Sequence, residues 1–271
     1  MKSSAIKTQN NQAMPVGSRL WSPRELPHLI AWHSLRTLES VTANSTTGRF
    51  IDVSGNGNDL ENDTSVQRPT VKVSSDFGNL KVLDFDGSND LLKKDPPSDS
   101  LDIADGDFFF CAAIAAATED STNQTIMSLQ RVDNSEELRL FLSSSGVFTF
   151  RIISTDTASA TGNLEGSVNL VYAERINGSM RVFVNGTVGN KTDTSTLAID
   201  NDNATILGSL NTSPQQVFDG QIAEVVYGGS TSKGIMDDEK RQRLEGYMAH
   251  RCNISSRLVS THPYKYGPPR K

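Results

Sequence analysis

Apolar residues recur at alternate positions along this chain, in short runs separated by turns rich in Gly, Asn, Asp and Ser. A period of two is the mark of a strand with one covered face. It is clearest in 168–190, where Met180, Val182 and Val184 alternate with Arg181 and Phe183. Two Asn-Gly pairs, Asn177-Gly178 and Asn185-Gly186, bracket that run. Both residue types tolerate the positive φ of a tight hairpin turn, so the stretch predicts an antiparallel meander. The same reading predicts strands over His28–Leu35, Val71–Val73, Leu80–Phe85, Thr125–Leu129, Glu137–Leu142, Val147–Ile153, Thr205–Leu210 and Gln221–Tyr227. Asp107–Ala117, DFFFCAAIAAA, is a continuous apolar run between acidic turns. That predicts a strand covered on both faces; its alanines leave a helix as the alternative.

One segment has a helical period instead. Leu244, Tyr247, Met248 and Cys252 recur at steps of three and four, after Asp237 as N-cap and with Asp238 and Glu239 in the first turn. A helix over about 237–252 follows, because acids near the N-terminus suit the helix dipole. Ten or more short strands and one late helix predict an all-β fold, a two-sheet antiparallel β-sandwich or jelly roll. We expect one domain over 21–257, an extended arm over 1–20 and a C-terminal tail over 258–271 that lies along the body. The arm, with Gln9-Asn10-Asn11-Gln12, is too polar to bury a core.

A formal charge of −6 argues against a surface that tracks nucleic-acid phosphates. No run reaches the ~20 apolar residues that cross a bilayer, and the N-terminal residues hold no apolar signal segment, so neither a membrane nor secretion is expected. Cys111 and Cys252 make neither a disulfide framework nor a zinc spacing. Both read as buried thiols, with a disulfide as the alternative.

Five pieces stand in an order that resembles the laminin-G-like, or concanavalin-A-like, lectin/glucanase jelly-roll family. They are Trp32; Asp52-Val53-Ser54-Gly55-Asn56-Gly57-Asn58; Leu83-Asp84-Phe85-Asp86-Gly87-Ser88-Asn89-Asp90; Arg181-Val182-Phe183-Val184-Asn185-Gly186; and Phe218-Asp219-Gly220-Gln221-Ile222-Ala223-Glu224-Val225. The end of the chain, Arg243–His250 followed by Leu258 and His262-Pro263-Tyr264-Lys265, is similar to laminin-G-like domains of phage virion proteins and of bacterial surface proteins; the surface members usually carry a secretion signal, which tilts the resemblance toward phage. The resemblance implies a virion structural protein, in head decoration, tail or fibre. Its partners would be other virion proteins and copies of itself, docked through the terminal segments. Its location would be the virion. The alternative is a carbohydrate-binding adhesin that recognises a glycan.

The chemistry in view is sparse. Glucanase members of the family carry a Glu-x-Asp-x-x-Glu strand, which is missing here. Asp84 and Asp86 alternate, but Gly87 turns the chain at once, so the chain is expected not to be an enzyme. His28, His33, His250 and His262 fall in no zinc spacing. Asp52, Ser54, Asn56, Gly57 and Asp63 occupy positions one, three, five, six and twelve of an oxygen-ligand loop, which makes calcium the one cofactor to weigh. Strands and turns flank the loop where helices belong, so a structural turn with Asx side chains bonded to their own backbone is the competing reading. For a sugar face, Trp21, Tyr264 and Tyr266 are the aromatic residues in polar surroundings.

Overall fold

The computed structural model of the chain describes residues 19–95, 101–117, 122–131, 136–153, 155–200 and 203–271; the arm expected over 1–20 lies outside them up to residue 18. In chain order the strands are β1 (Leu29–His33), β2 (Arg49–Phe50), β3 (Leu60–Glu61), β4 (Thr70–Ser74), β5 (Leu80–Asp86), β6 (Leu92–Lys94), β7 (Asp107–Ala116), β8 (Gln124–Gln130) and β9 (Glu136–Leu142). They continue with β10 (Phe148–Ile152), β11 (Asp156–Ser159), β12 (Val168–Ile176), β13 (Ser179–Val184), β14 (Thr187–Val188), β15 (Asp193–Thr194), β16 (Ala204–Leu207) and β17 (Asp219–Ser230). Helix α1 spans Asp238–Arg251.

The strands form two antiparallel sheets. Sheet I runs β14-β13-β12-β7-β17-β5-β4, with β1 also on β17 and β15 on β13; sheet II runs β11-β10-β9-β8-β16-β6-β3-β2. The predicted two-sheet sandwich with one helix is the observed fold. Side chains alternate across each strand, so Leu83, Phe85, Phe218 and Ile222 of sheet I meet the inner face of sheet II in one buried core. Every residue of β7 is buried. It lies between β12 and β17, with helix α1 against it. That is why its sequence reads as an unbroken apolar run.

The meander closes as its Asn-Gly pairs predict. Asn177 and Gly178 have φ of 51° and 80°, and Asn185 and Gly186 have 53° and 81°. The second turn also receives the C-terminal residues. The Val259 N–H donates to the Asn185 carbonyl at 2.9 Å. A Cβ on Gly186 would come within 2.7 Å of His262 Cδ2. Gly186→Val is therefore expected to cost about 1–2 kcal/mol from its positive φ alone, and more by displacing His262. Hydrogen exchange should show residues 258–265 losing protection first. Unchanged protection there would mean that the C-terminal residues do not depend on this turn.

Residues 258–271 pack back on the sandwich. Leu258 and His262 are buried, Tyr264 lies against Gly246, and Leu20 forms a bridge with Arg270. Cys111 and Cys252 are buried free thiols. Among the described residues no helix is long and apolar enough to cross a membrane.

Candidate functional site

A groove of about 540 Å³ opens on the outer face of sheet I. Strand register builds it. Asp219 pairs with Asp86 and Gln221 with Asp84 across β17 and β5. Leu83, Phe85 and Phe218 point into the core, so the alternating Asp84, Asp86 and Asp219 point out. The strand reaches Asp86 before Gly87 turns it. Gly87 then ends the strand, as its position in the sequence predicts.

Ala115, Ala116, Gly166 and Gly220 also line the groove. Gly220 has φ 139°, and a Cβ there would strike the backbone of Ala115 and Ala116. The walls carry four carboxylates, Asp76, Asp84, Asp86 and Asp219, and one ammonium, Lys72. Lys72 Nζ lies 2.5 Å from Asp84 Oδ2, and Gln221 Nε2 donates to Asp84 Oδ1 at 3.2 Å. The Gln221 Oε1 atom has no hydrogen-bond partner. Asp86 Oδ1 accepts the N–H groups of Ser88 and Asn89 at 2.9 and 3.2 Å. Behind it, burial and then the Asp86 charge push the Asp90 carboxyl up to about 6. The groove thus offers hydroxyl-accepting oxygens beside small residues.

The proposed calcium loop is built differently from an ion cage. Asp52 Oδ1 accepts the N–H groups of Trp32 and Ser54 at 2.9 and 2.8 Å; Oδ2 accepts the Ser54 hydroxyl and the Asn58 N–H at 2.7 and 3.1 Å. The Asn56 amide donates to the Leu29 and Ile30 carbonyls at 2.8 and 3.1 Å. Asp63 is exposed and lies beyond β3. The loop is an Asx turn that ties β1 to the next segment. Its oxygens are directed at protein donors. Among the described residues no group of three or more His, Cys, Asp or Glu side chains is placed to hold a metal.

The aromatic residues expected to be exposed divide. Tyr266 is 88% exposed, whereas Trp21 is 4% exposed and stands edge-on to Tyr247 of α1, with centroids 6.0 Å apart. The histidines are structural where they are buried. Burial lowers the His33 imidazole to about 4, against the pull of Asp52 and the bond to the Phe50 carbonyl. His262 Nε2 lies 3.3 Å from Glu245 Oε2.

Sequence reasoning missed a buried polar layer between α1 and sheet I. Glu174 on β12 takes Arg181 Nε at 2.8 Å and the Tyr172 hydroxyl at 2.9 Å. Glu245 on α1 takes Arg241 Nη1 at 2.6 Å, and that guanidinium stacks 3.9 Å from the centre of the Phe183 ring. Glu224 on β17 takes the Trp32 indole N–H at 2.5 Å. Each is one polar position in an alternating or helical pattern, and only the packing of α1 buries it.

No protein-family model matches this chain, and no curated protein matches it. Solved structures do match. The sialidase of Trypanosoma rangeli in complex with sialic acid is 11% identical, over 83% of this chain and 34% of its own length, with a TM-score of 0.59. Domain 4 of AbnA, a GH43 extracellular arabinanase from Geobacillus stearothermophilus, in complex with arabinotriose, is 14% identical, over 76% of this chain and 96% of its own length, with a TM-score of 0.51. The chain spans about a third of the sialidases it matches. At these identities the likeness shows the two-sheet β-sandwich fold alone. The expectation that the chain is not an enzyme is overturned, because the matched chains are a sialidase and a domain of an arabinanase. The virion expectation draws no support from these matches.

Proposed function

We propose that this chain is a carbohydrate-binding β-sandwich and that the groove of Asp84, Asp86, Asp219 and Gln221 is its sugar face. The observation that carries the reading is the register that sets three carboxylates and an amide side by side on one face. Sugar hydroxyls donate to carboxylates in short, charge-assisted hydrogen bonds. The fold agrees, since the matched arabinanase domain is described in complex with arabinotriose. A virion setting rests on the C-terminal residues alone and is a proposal for the whole chain.

A second reading has its own support. Asp86 and Asp219 face each other on neighbouring antiparallel strands, where paired Cα atoms are about 4.5–5.5 Å apart. The register thus sets two carboxyl side chains on one face of the groove, and glycosidic-bond cleavage uses a pair of carboxyls flanking the scissile bond. The groove would then act on its glycan as well as hold it.

One experiment separates these. Titration calorimetry with arabinotriose and a panel of neutral, amino and acidic oligosaccharides should find a saccharide that binds. Asp84→Ala should weaken that binding about tenfold to a hundredfold, because a hydrogen bond to a charged group is worth about 1.5–3 kcal/mol. Binding to no saccharide, or binding indifferent to Asp84→Ala in a folded variant, defeats the groove reading. Release of reducing ends that stops with Asp219→Asn would establish the cleaving form.

A further inference from the structure

Glu224 sits where the outer face of sheet I passes under helix α1. It lies on β17 at the bulge between Ile222 and Glu224, and none of it reaches solvent. Oε1 accepts the Trp32 indole N–H at 2.5 Å and lies 3.5 Å from the Tyr247 hydroxyl. Oε2 has no hydrogen-bond partner. The Arg251 Nε faces it at 3.7 Å, beyond a hydrogen bond, and that Nε and Nη2 lack hydrogen-bond partners too. Arg251 is shared with Glu39, 3.9 Å away. The remaining charged and titratable neighbours are Arg36 after β1, Tyr247 and Cys252 on α1, and Cys111 on β7, with Glu245 acting on Cys111. An ionised Glu224 is therefore only partly compensated, in a place that water does not reach.

We propose that Glu224 is a proton-operated latch for helix α1: protonated, it lets the helix close on sheet I, and ionised, it loosens the helix and the C-terminal residues packed against it. The geometry supplies the lever, because Tyr247 and Arg251 come from the last turns of α1 and Cys252 caps it, while Glu224 is fixed in the middle of a sheet. Burial raises the Glu224 carboxyl from 4.5 to about 7, outweighing the Trp32 bond and the Arg251 charge. The closed chain thus holds a proton that the open chain releases. Closure is fully favoured below the ordinary carboxylate value and is lost as pH rises through about 7.

Hydrogen exchange of residues 238–252, corrected for intrinsic rates, tests this in the wild-type protein. Protection of α1 should fall roughly tenfold between pH 6 and pH 8. Glu224→Gln keeps the acceptor for Trp32 and removes the titration, so its helix should show the same protection at both pH values. A wild-type helix with constant protection, or the same fall in Glu224→Gln, overturns the latch. A second readout needs no variant. Tyr247 stands edge-on to both Trp21 and Trp32, at 6.0 and 5.8 Å, so tryptophan emission should step near pH 7. Emission flat from pH 5.5 to 8.5 would equally overturn the proposal.

Discussion

Arg175→Met is expected to lower the unfolding free energy by about 3–5 kcal/mol, the range for uncovering a buried charge network. Arg175 lies on β12 and is fully buried. Its guanidinium donates to three carbonyls: Gly106 through Nε at 2.8 Å, Leu197 through Nη1 at 2.5 Å and Ala104 through Nη2 at 2.8 Å. Those carbonyls belong to two segments outside any strand, which reach each other through the Ile103–Ile199 and Ile199–Ala104 backbone bonds. Ala104 has φ 47°, a conformation that alanine rarely takes, and the guanidinium holds the carbonyl it presents. Burial brings the Arg175 guanidinium down to about 10, against the pull of Asp105 and Asp107, so it stays charged at neutral pH. Methionine keeps the stem and supplies no donor, leaving the three acceptors without their partner. Urea denaturation reads the loss directly. Arg175→Lys, with a point charge in place of a planar fork, should fall between the two. A methionine variant within about 1 kcal/mol of wild type would show that water replaces the clamp.

The contrast between what the chain announces and what it hides follows from sequence separation. The 168–190 meander, the buried β7 strand and the Asp237 cap are local: two residues, one run and one N-cap decide them. Asp237 does accept the Lys240 N–H at 2.8 Å, as an N-cap should. The groove is non-local. Asp84 and Asp86 were visible as an alternating pair, but their meaning depends on Asp219 and Gln221, brought beside them by a strand far along the chain. Gly87 ends the strand as the sequence predicts, and its lack of a side chain lets the turn lie against Asp219. Trp21 looked exposed because its sequence neighbours are polar, yet its cover comes from α1 and from Pro269, whose carbonyl accepts the Trp21 N–H at 3.1 Å. The same distance hides Glu224, a plain polar position until the bulge and the helix enclose it.

Asp52→Ala should remove about 2–4 kcal/mol of stability, and by the same amount in calcium and in chelator, because the carboxylate satisfies protein donors rather than an ion. Four hydrogen bonds converge on it, from the Trp32 N–H, the Ser54 N–H and hydroxyl, and the Asn58 N–H. Burial opposes its ionised form, but those bonds outweigh burial and hold the carboxyl below its usual value. The sign follows: a depressed carboxyl stabilises above the ordinary aspartate range, and that contribution disappears as pH falls through the folded value. Acid unfolding of the wild type should therefore be steeper than that of Asp52→Ala. Denaturation midpoints with calcium and with chelator decide between the two readings of the loop. A wild-type midpoint that rises in calcium, with no rise in Asp52→Ala, would make Asp52 an ion ligand. Equal midpoints in both solutions, with the variant uniformly weaker, leave it as the knot that fastens β1. That knot holds Val53 to the Trp32 carbonyl at 2.8 Å. Trp32 in turn points its indole at Glu224 under the helix, so loosening the turn should also shift the pH response of α1.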